Sequence, residues 1–425
     1  MIKKLLLVFL LVFLGGCTNV PATPNQIDLG EPPISPTETP TPSPIEDAEL
    51  LGPRPLRVWV PPEFNPASGT EAAQIFLNRL DEFSTLHPDI QIEVRVKASL
   101  GPGGMLDSLN TTQAVAPEVL PDLVALPRPV LETAATRGLI FPLDGVISVQ
   151  EDTDWYDFAN QLARVENTIY GLSFACDALV LLYRVEVVGE PPRDWTTTQQ
   201  LGLPLLFPLG SPQSLFTLAL YQAAGGSVQN VKGLPMITPP TLSAVYDFYV
   251  DAEAGGIISP TWVKYRSEEE TFLAYQNGEV DMAIAWVSAY WTRAGEGAAS
   301  GALPTPGGVP FTLLTGWAWA ISNPNSSYQD LSTELAQFLT ESAYLSRWTQ
   351  AAGYLPPRPS VLASWPESPM SALASRLVLS AQLIPPVEIV NTLGPLLQQT
   401  TLEVLNGQQT PLQAAQSVAN RLGGP

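Results

Sequence analysis

Seven side chains could bind a polyhydroxylated ligand. Their residues stand at the ends or beginnings of predicted strands, directly after strands, or in nearby loops. Ligands of open α/β sheets bind at the carboxyl ends of strands, and this rule guides the selection. The residues are Phe64, Asp177, Trp286, Tyr290, Trp317, Tyr354 and Arg358. Aromatic rings give flat apolar platforms for sugar rings, and a carboxylate or guanidinium can take two hydroxyl hydrogen bonds. This combination suits a neutral polyol in a cleft.

Each of these residues also has a purely structural interpretation. Most aromatic side chains in domains of this size pack in the core. Asp177 follows Phe174 in a predicted turn, where it could cap the turn instead of binding a ligand. Trp286 and Trp317 offer the largest apolar platforms and are the leading candidates for ligand contact.

The histidine and cysteine content argues against several kinds of catalysis. His87 is the single histidine, and it follows a predicted helix, where it would interact with the helix dipole. The two cysteines are Cys17 and Cys176, and we interpret Cys176 as a small buried apolar residue, not a nucleophile. Zinc sites and Ser-His-Asp or Cys-His catalysis would need unusual substitutes. We therefore expect no metal, no cofactor and no internal disulfide.

The first seventeen residues have the pattern of a secretory signal. Lys3 and Lys4 precede an apolar run over residues 5–14, and Gly15 and Gly16 lead to Cys17. The run is too short for a transmembrane helix, which needs about 20 apolar residues. The ending resembles the bacterial lipobox, whose cysteine is lipidated. We expect a lipid-anchored protein on the outer face of the cell membrane.

Composition limits the remaining chain. Residues 18–55 are rich in Pro, Thr, Ser and Glu, which predicts an extended linker without a core. The rest is too long for one core and suits two domains. The formal net charge of −21 makes nucleic acid an unsuitable partner, because its phosphates would be repelled.

The periodicity of apolar residues predicts alternating strands and helices. Residues 56–60, 90–96 and 121–126 form predicted strands, with a helix between residue 70 and Pro88 and another over 130–137. Ser68 to Glu71 has the pattern of a capping box. This order predicts a parallel sheet with right-handed crossovers.

The second half continues the alternation. Predicted strands cover residues 168–174 and 178–183, broken by a turn at Cys176 and Asp177, and then 280–286 and 316–321. Predicted helices lie over 214–224, 242–249, 268–276 and 331–339, and the tail is mostly helical.

The order of these segments resembles a known family, although no single motif is specific. The motifs are His87-Pro88-Asp89-Ile90, Pro121-Asp122-Leu123-Val124, Gly138-Leu139-Ile140-Phe141-Pro142-Leu143-Asp144, Tyr170-Gly171-Leu172-Ser173, Leu182-Tyr183, Pro191-Pro192-Arg193-Asp194-Trp195, Asn277-Gly278-Glu279-Val280-Asp281-Met282-Ala283 and Gly353-Tyr354-Leu355-Pro356-Pro357-Arg358. Over about residues 56–360 the chain resembles the extracellular solute-binding proteins of bacterial ABC importers, in particular the carbohydrate-binding ones. It departs from them at Arg184-Val185-Glu186, where the family commonly has Tyr-Asn-Lys near this position, and this leaves the ligand open.

The resemblance implies an α/β fold of two lobes, with a hinge that the chain crosses more than once and ligand in the cleft. Lobe one would comprise residues 56–167 and 280–323, and lobe two residues 168–278 and 324–425. Trp317 would lie where the chain crosses the hinge. A monomer would close on a sugar or oligosaccharide and deliver it to the permease of an ABC importer, without turnover.

Two alternatives stay open at this stage. A surface glycoside hydrolase would use two carboxylates, and the chain has 41 acidic residues, but no pair stands out in a matching motif. A binding protein for another solute, such as a polyamine, would need several carboxylates together with aromatic rings.

Overall fold

The computed structural model describes residues 55–144 and 153–423. The predicted signal, Cys17 and the linker up to residue 54 lie outside the described residues. The strands are β1 (Leu56–Val60), β2 (Ile92–Val96), β3 (Leu123–Pro127), β4 (Arg164–Val165), β5 (Thr168–Ile169), β6 (Leu172–Arg184), β7 (Leu205–Leu206), β8 (Met282–Trp286), β9 (Ala298–Gly301), β10 (Thr312–Ile321) and β11 (Ala381–Leu383).

The α-helices alternate with these strands and then fill the C-terminal part. They are α1 (Glu71–Leu86), α2 (Met105–Val115), α3 (Arg128–Thr136), α4 (Asp157–Leu162), α5 (Val185–Val188), α6 (Trp195–Leu201), α7 (Leu215–Ala223), α8 (Pro239–Ala254), α9 (Glu268–Gln276), α10 (Val287–Arg293), α11 (Ser326–Phe338), α12 (Ser342–Ala352), α13 (Pro359–Ala363), α14 (Pro369–Ser380), α15 (Val387–Leu405) and α16 (Pro411–Leu422). Short 3₁₀ helices cover Pro62–Phe64, Pro117–Val119 and Pro260–Lys264.

The N-terminal part of the central sheet is parallel, as the sequence predicts. β1 pairs in parallel with β2 along its whole length and with β3 at Val58 and Trp59. The helices α1 and α2 connect these strands. Four of the five β1 residues are buried, which explains why this strand reads as an apolar run.

The complete sheet is mixed, so the prediction of a parallel sheet throughout is wrong. Its path is β2-β1-β3-β10-β6-β8-β7, with β11 beside β10 and β9 beside β6. β10 is antiparallel to both β3 and β6, and β8 is antiparallel to β6. A loop, not a crossover helix, leads from β9 to β10, and antiparallel pairs need no helical crossover.

β6 is one continuous strand, and the predicted turn at Cys176 and Asp177 is wrong. The strand has 13 residues and is buried along nearly its whole length. β10 pairs with its first part and β8 with its second part. Cys176 also exchanges backbone hydrogen bonds of 2.9 and 2.8 Å with Leu355. Because the strand is paired on both sides, Asp177 has no turn to cap.

Two large clusters of buried apolar side chains divide the fold into two lobes. The first cluster includes β1, β3, the first part of β6 and α11 to α14. The second cluster includes the second part of β6, β7, α7, α8, α15 and α16. β6 and β10 contribute residues to both clusters, so the chain passes between the lobes more than once.

The exact lobe boundaries stay a prediction. The lobe boundaries predicted from the sequence put β8 in lobe one and α11 to α14 in lobe two. Met282 and Ile284 of β8 belong to the second cluster, whereas Leu335 and Leu377 belong to the first. This packing favours a division in which α11 to α14 join lobe one and β8 joins lobe two.

The first long helix begins and ends at sequence-encoded signals. Thr70, not Ser68, is its N-cap, and its hydroxyl accepts a hydrogen bond of 3.2 Å from the Ala73 N–H. The helix ends at Leu86, immediately before His87. The His87 ring stacks on Phe83, and its Nε2 lies 3.2 Å from the Glu334 carboxylate of α11.

The longest described helix, α15, packs tightly against the loop before α7. Gly394 is required there, because a Cβ atom would lie 2.2 Å from the Pro212 carbonyl oxygen. The Gly394 carbonyl also accepts a hydrogen bond of 3.0 Å from the Ser214 hydroxyl. No helix in the described part of the chain has the length and apolar character needed to cross a membrane.

Candidate functional site

A cavity of about 550 Å³ lies where β6, β8, α10 and β10 meet, and we call it the central cavity. Its lining is a mixture of aromatic, acidic and small polar side chains. The residues are Glu63, Pro127, Asp177, Glu269, Trp286, Ser288, Ala289, Thr292, Arg293, Thr315, Gly316, Trp317 and Tyr354. Four of the seven residues selected from the sequence therefore lie at one cavity, namely Asp177, Trp286, Trp317 and Tyr354.

The crossing strands hold these four residues in place. Asp177 lies opposite Thr315 in the β6–β10 ladder, and Trp286 lies opposite Leu179 in the β6–β8 ladder. Tyr354 is positioned by its neighbour Leu355, which bridges to β6. The sheet therefore brings residues that are more than 170 positions apart in the chain to one site.

Gly316 allows the two central strands to approach closely. A Cβ atom at this position would lie 2.3 Å from the Ala175 carbonyl oxygen and 2.6 Å from the Leu162 side chain. The register of the β6–β10 ladder also shifts between Trp317 and Ala318. A residue without a side chain is therefore needed directly beside Trp317 on the cavity wall.

Asp177 is a buried carboxylate held by one residue of α10. It is 7% exposed, and its Oδ1 and Oδ2 accept hydrogen bonds from the Ser288 N–H at 3.1 Å and the Ser288 hydroxyl at 2.5 Å. Burial raises the pKa of Asp177 to about 7, although the bonds from Ser288 act in the opposite direction. The cavity wall therefore carries a hydrogen-bonded carboxyl group whose pKa is close to neutral pH.

Phe64 supports the aromatic wall but does not line the central cavity. Its ring is 6% exposed and lies 5.0 Å from Trp317 and 5.6 Å from Tyr354, measured between ring centroids. It also contacts Phe174 and Trp348 edge-on or tilted at 5.2 and 5.4 Å. The ring orients the two cavity-lining aromatics from behind, and its predicted contact with ligand has no support in this geometry.

Tyr290 and Arg358 also do not line the central cavity. Tyr290 belongs to α10 but packs against apolar side chains of the first cluster and of a smaller cluster that includes Phe272 and Ala283. The Arg358 guanidinium stacks over Trp155 at 3.9 Å and lies 3.7 Å from the Asp154 carboxylate. Arg358 thus ties its loop to the segment before α4, a tertiary contact that the sequence alone does not indicate.

The central cavity contains polar residues that the sequence analysis missed. Ser288, Thr292 and Arg293 follow Trp286 on α10, and helical spacing after a strand end could have indicated them. Glu63 directly precedes Phe64 and was available in the same loop. Glu269 had no local signal, because its place at the cavity depends on tertiary packing.

Arg293 and Glu269 form a bidentate ion pair at the cavity. Both guanidinium nitrogens donate to the Glu269 carboxylate oxygens at 2.6 Å. The hydrogen bonds from Arg293 lower the pKa of Glu269. The guanidinium also lies over the Phe272 ring at 4.6 Å. The pair fixes α9 against α10 and neutralises the single arginine of the lining.

The described residues provide neither a metal cluster nor an accessible thiol. No group of three or more His, Cys, Asp or Glu side chains in residues 55–144 and 153–423 is arranged to hold a metal ion. Cys176 is fully buried, and burial raises the pKa of its thiol. This position agrees with the interpretation of Cys176 as a core residue.

Solved structures share this fold across most of the chain. Maltose-bound MalE3 of T. maritima superposes with a TM-score of 0.66 at 19% identity, covering 86% of this chain and 99% of that one. The cyclic alpha-maltosyl-1,6-maltose binding protein of Arthrobacter globiformis gives 0.70 at 17% identity, covering 87% and 99%. The GacH receptor of Streptomyces glaucescens, solved unliganded and with acarbose, gives 0.66 at 18% identity, covering 86% and 98%.

A family model identifies the family from the sequence, independently of the fold. A search of curated protein sequences found no match. The model of bacterial extracellular solute-binding proteins matches residues 78–372, which is more than half of the chain. At identities of 17–19%, the structural neighbours establish a shared two-lobe α/β fold and no more. The chain belongs to the bacterial extracellular solute-binding proteins.

Proposed function

We propose that this protein binds a sugar or oligosaccharide in the central cavity and delivers it to the permease of an ABC importer. The observation that carries the proposal is the convergence of Trp286, Trp317 and Tyr354 with Asp177 on one cavity of about 550 Å³. That volume falls in the range of small-molecule sites, about 300–1,000 Å³. Rings beside a carboxylate match the apolar faces and hydroxyl groups of a saccharide.

The cavity draws residues from both lobes, which supports capture by closure. Trp317 packs against the first cluster and Trp286 against the second. A ligand held between them would contact both lobes at once, and it would favour the closed state by the difference of its affinities for the two states. Small-angle scattering should show a smaller radius of gyration with a tight ligand, and unchanged profiles would contradict closure.

The family supports binding without turnover. Maltose, acarbose and a cyclic maltosyl-maltose appear with the structural neighbours, which supports a carbohydrate as the ligand class. Lipid anchoring is supported by the sequence around Cys17. If Cys17 carries the lipid, Cys17→Ala should move the protein from the membrane fraction to the soluble fraction, whereas Cys176→Ala should leave it in the membrane fraction.

A thermal-shift screen of the purified full-length protein tests the ligand class. The panel contains mono- and oligosaccharides, sugar phosphates and polyamines. A ligand that binds only the folded state adds about 2.7 kcal/mol of stability at a hundredfold excess over Kd. A rise of the melting temperature with one class of saccharide would support the proposal. If none of the saccharides raises the melting temperature, the proposal is overturned. Release of new reducing ends from a polysaccharide would identify a hydrolase instead.

A further inference from the structure

We infer that the preferred saccharide carries a protonated amino group, held by Glu63 and Asp177 beside the rings of Trp317 and Tyr354. This inference rests on the carbohydrate function proposed above and narrows its ligand class. The sequence alone favoured a neutral polyol. The charges of the central cavity point to a cationic one.

The lining of the central cavity carries more negative than positive charge. Its ionisable groups include three carboxylates, Glu63, Asp177 and Glu269, and one guanidinium, Arg293. Arg293 is bound at both nitrogens by Glu269. Glu63 is exposed, and its carboxylate accepts a hydrogen bond of 3.3 Å from the Ser99 hydroxyl. None of the ion pairs between described residues includes Glu63 or Asp177. Two carboxylates at the cavity therefore have no cation from the protein.

These two carboxylates act on the same part of the cavity. Burial is the main cause of the raised pKa of the Tyr354 phenol; the negative charges of Asp177 and Glu63 raise it further, and the positive charge of Arg293 lowers it. Tyr354 and Trp317 both contact Phe64, the neighbour of Glu63, at ring-centroid distances of 5.6 and 5.0 Å. Glu63, Asp177, Trp317 and Tyr354 therefore line the same cavity.

A ligand ammonium would complete this arrangement. Aromatic faces attract cations within about 6 Å of the ring centroid, and hydrogen bonds between charged groups are stronger than neutral ones. Asp177 accepts hydrogen bonds from Ser288 alone among the side chains, so no cation of the protein balances its charge when it is ionised. Burial raises the pKa of Asp177 to about 7, and a bound cation would lower it and keep the carboxylate charged.

The same charges disfavour anionic ligands. A uronate or sugar phosphate would place its negative charge against Glu63 and Asp177, because Arg293 is already occupied by Glu269. A neutral sugar can donate hydroxyl hydrogen bonds to both carboxylates but leaves their charge uncompensated. An amino sugar supplies the hydroxyl groups and the cation in one molecule.

Matched pairs of sugars test the inference at pH 7. In each pair an amino group replaces the 2-hydroxyl of every ring: glucosamine with glucose, galactosamine with galactose, and the β-1,4-linked disaccharide of glucosamine, which has two amino groups, with cellobiose. Spermidine is included as a cation without a sugar ring. We expect an amino sugar to bind at least about tenfold more tightly than its neutral partner by calorimetry, because hydrogen bonds to charged groups contribute about 1.5–3 kcal/mol.

The possible outcomes separate the two proposals. Equal or tighter binding of the neutral partners would overturn the amino-group inference and leave carbohydrate binding intact. If spermidine binds and no sugar of the panel does, the carbohydrate function is overturned. Binding of no member of the panel would count against both.

A charge-removing variant tests the role of Glu63 directly. Glu63→Gln keeps the shape of a side chain at the cavity rim and should weaken the amino sugar about tenfold while changing its neutral partner less than about twofold. Glu118→Gln, an exposed substitution outside the cavity, is the matched control and should change neither. Equal weakening of both sugars by Glu63→Gln would show that Glu63 binds a hydroxyl group and would contradict the inference.

Discussion

Ser288 donates two hydrogen bonds to the Asp177 carboxylate, one from its backbone N–H at 3.1 Å and one from its hydroxyl at 2.5 Å. The pair joins the central strand β6 to the first turn of α10. Because β6 contributes to both lobes, the pair places a carboxylate at the point where the lobes meet. The position of the Asp177 carboxylate on the cavity wall therefore depends on Ser288, which also lines the cavity.

Ser288→Ala should weaken ligand binding by about 1 kcal/mol, the typical contribution of one hydrogen bond. The backbone bond remains, so the carboxylate keeps part of its orientation. Loss of the hydroxyl bond should also raise the pKa of Asp177, because that bond favours the charged form. Calorimetry from pH 6 to 8 measures both effects.

Ser375→Ala is the control for this variant, since Ser375 is an exposed residue whose hydroxyl bonds only to the Ser371 carbonyl in α14. It should leave affinity and its pH profile unchanged. If Ser288→Ala binds ligand like the wild type at every pH, the positioning role of Ser288 is incorrect. A double-mutant cycle with Asp177→Asn would then show no coupling between the two residues.

Trp317→Ala and Trp286→Ala should each lower affinity by about tenfold or more, because each loses the apolar area that the ring buries against the ligand as well as the about 0.5–1.5 kcal/mol typical of a ring contact beyond that area. Each variant removes a ring from one lobe. Calorimetry gives the affinity, and urea unfolding gives the stability of the same samples.

Trp195→Ala provides the contrast for both variants. Trp195 stacks on Phe248 at 4.8 Å in the second cluster and does not line the central cavity. It should lower stability with little change in affinity. The same loss of affinity in all three variants would indicate general destabilisation and would contradict the role of the cavity tryptophans.

Local patterns predicted most elements but not the way they meet. The strand over β1 and the helix α1 follow from apolar spacing and a capping residue, and the structure has both. The prediction of a break at Cys176 and Asp177 is wrong. It rests on the general tendency of a charged residue inside an apolar run to mark the end of a strand. Here Ser288, 111 residues away, satisfies the carboxylate and allows the strand to continue.

The candidate site was predictable only in part for the same reason. Trp286 could be chosen because it ends a strand, as the structure confirms. Trp317 was chosen as the beginning of a strand but lies inside β10, and both tryptophans line the cavity. Arg358 lies in a loop of suitable composition, but its stacking on Trp155 removes it from the cavity. The pairing of Arg293 with Glu269, which leaves two carboxylates without a cation, is a tertiary relationship with no local signal.

Glu268 should make the protein less stable as the pH rises from 5 to 8. It is 6% exposed, and burial raises its pKa from 4.5 to about 7. Below pH 4.5 the side chain is protonated in both states. Between the two pKa values only the folded state keeps the proton, so the free energy of unfolding falls as pH rises and levels off above pH 7. The shift corresponds to about 3 kcal/mol.

Urea unfolding of the wild type and Glu268→Gln at pH 5 and pH 8 checks this prediction. The variant should lose less stability between the two values, because glutamine stays neutral. Asp177 contributes in the same direction, since its pKa is raised from 3.8 to about 7, so some pH dependence should remain in the variant. An identical pH dependence of the two proteins would show that Glu268 is not responsible.

Gly316→Ala should destabilise the protein by about 1–3 kcal/mol, the usual cost of forcing an added group into a packed interior. The new Cβ would lie 2.3 Å from the Ala175 carbonyl oxygen, so β6 and β10 would have to separate at the cavity wall. Gly307→Ala is the matched control, because no atom lies within 4 Å of a Cβ at that loop position. Urea unfolding should show a lower midpoint for Gly316→Ala alone. Equal midpoints would mean that the central strands separate at no cost, and the close approach of β6 and β10 would then not fix the positions of Asp177 and Trp317.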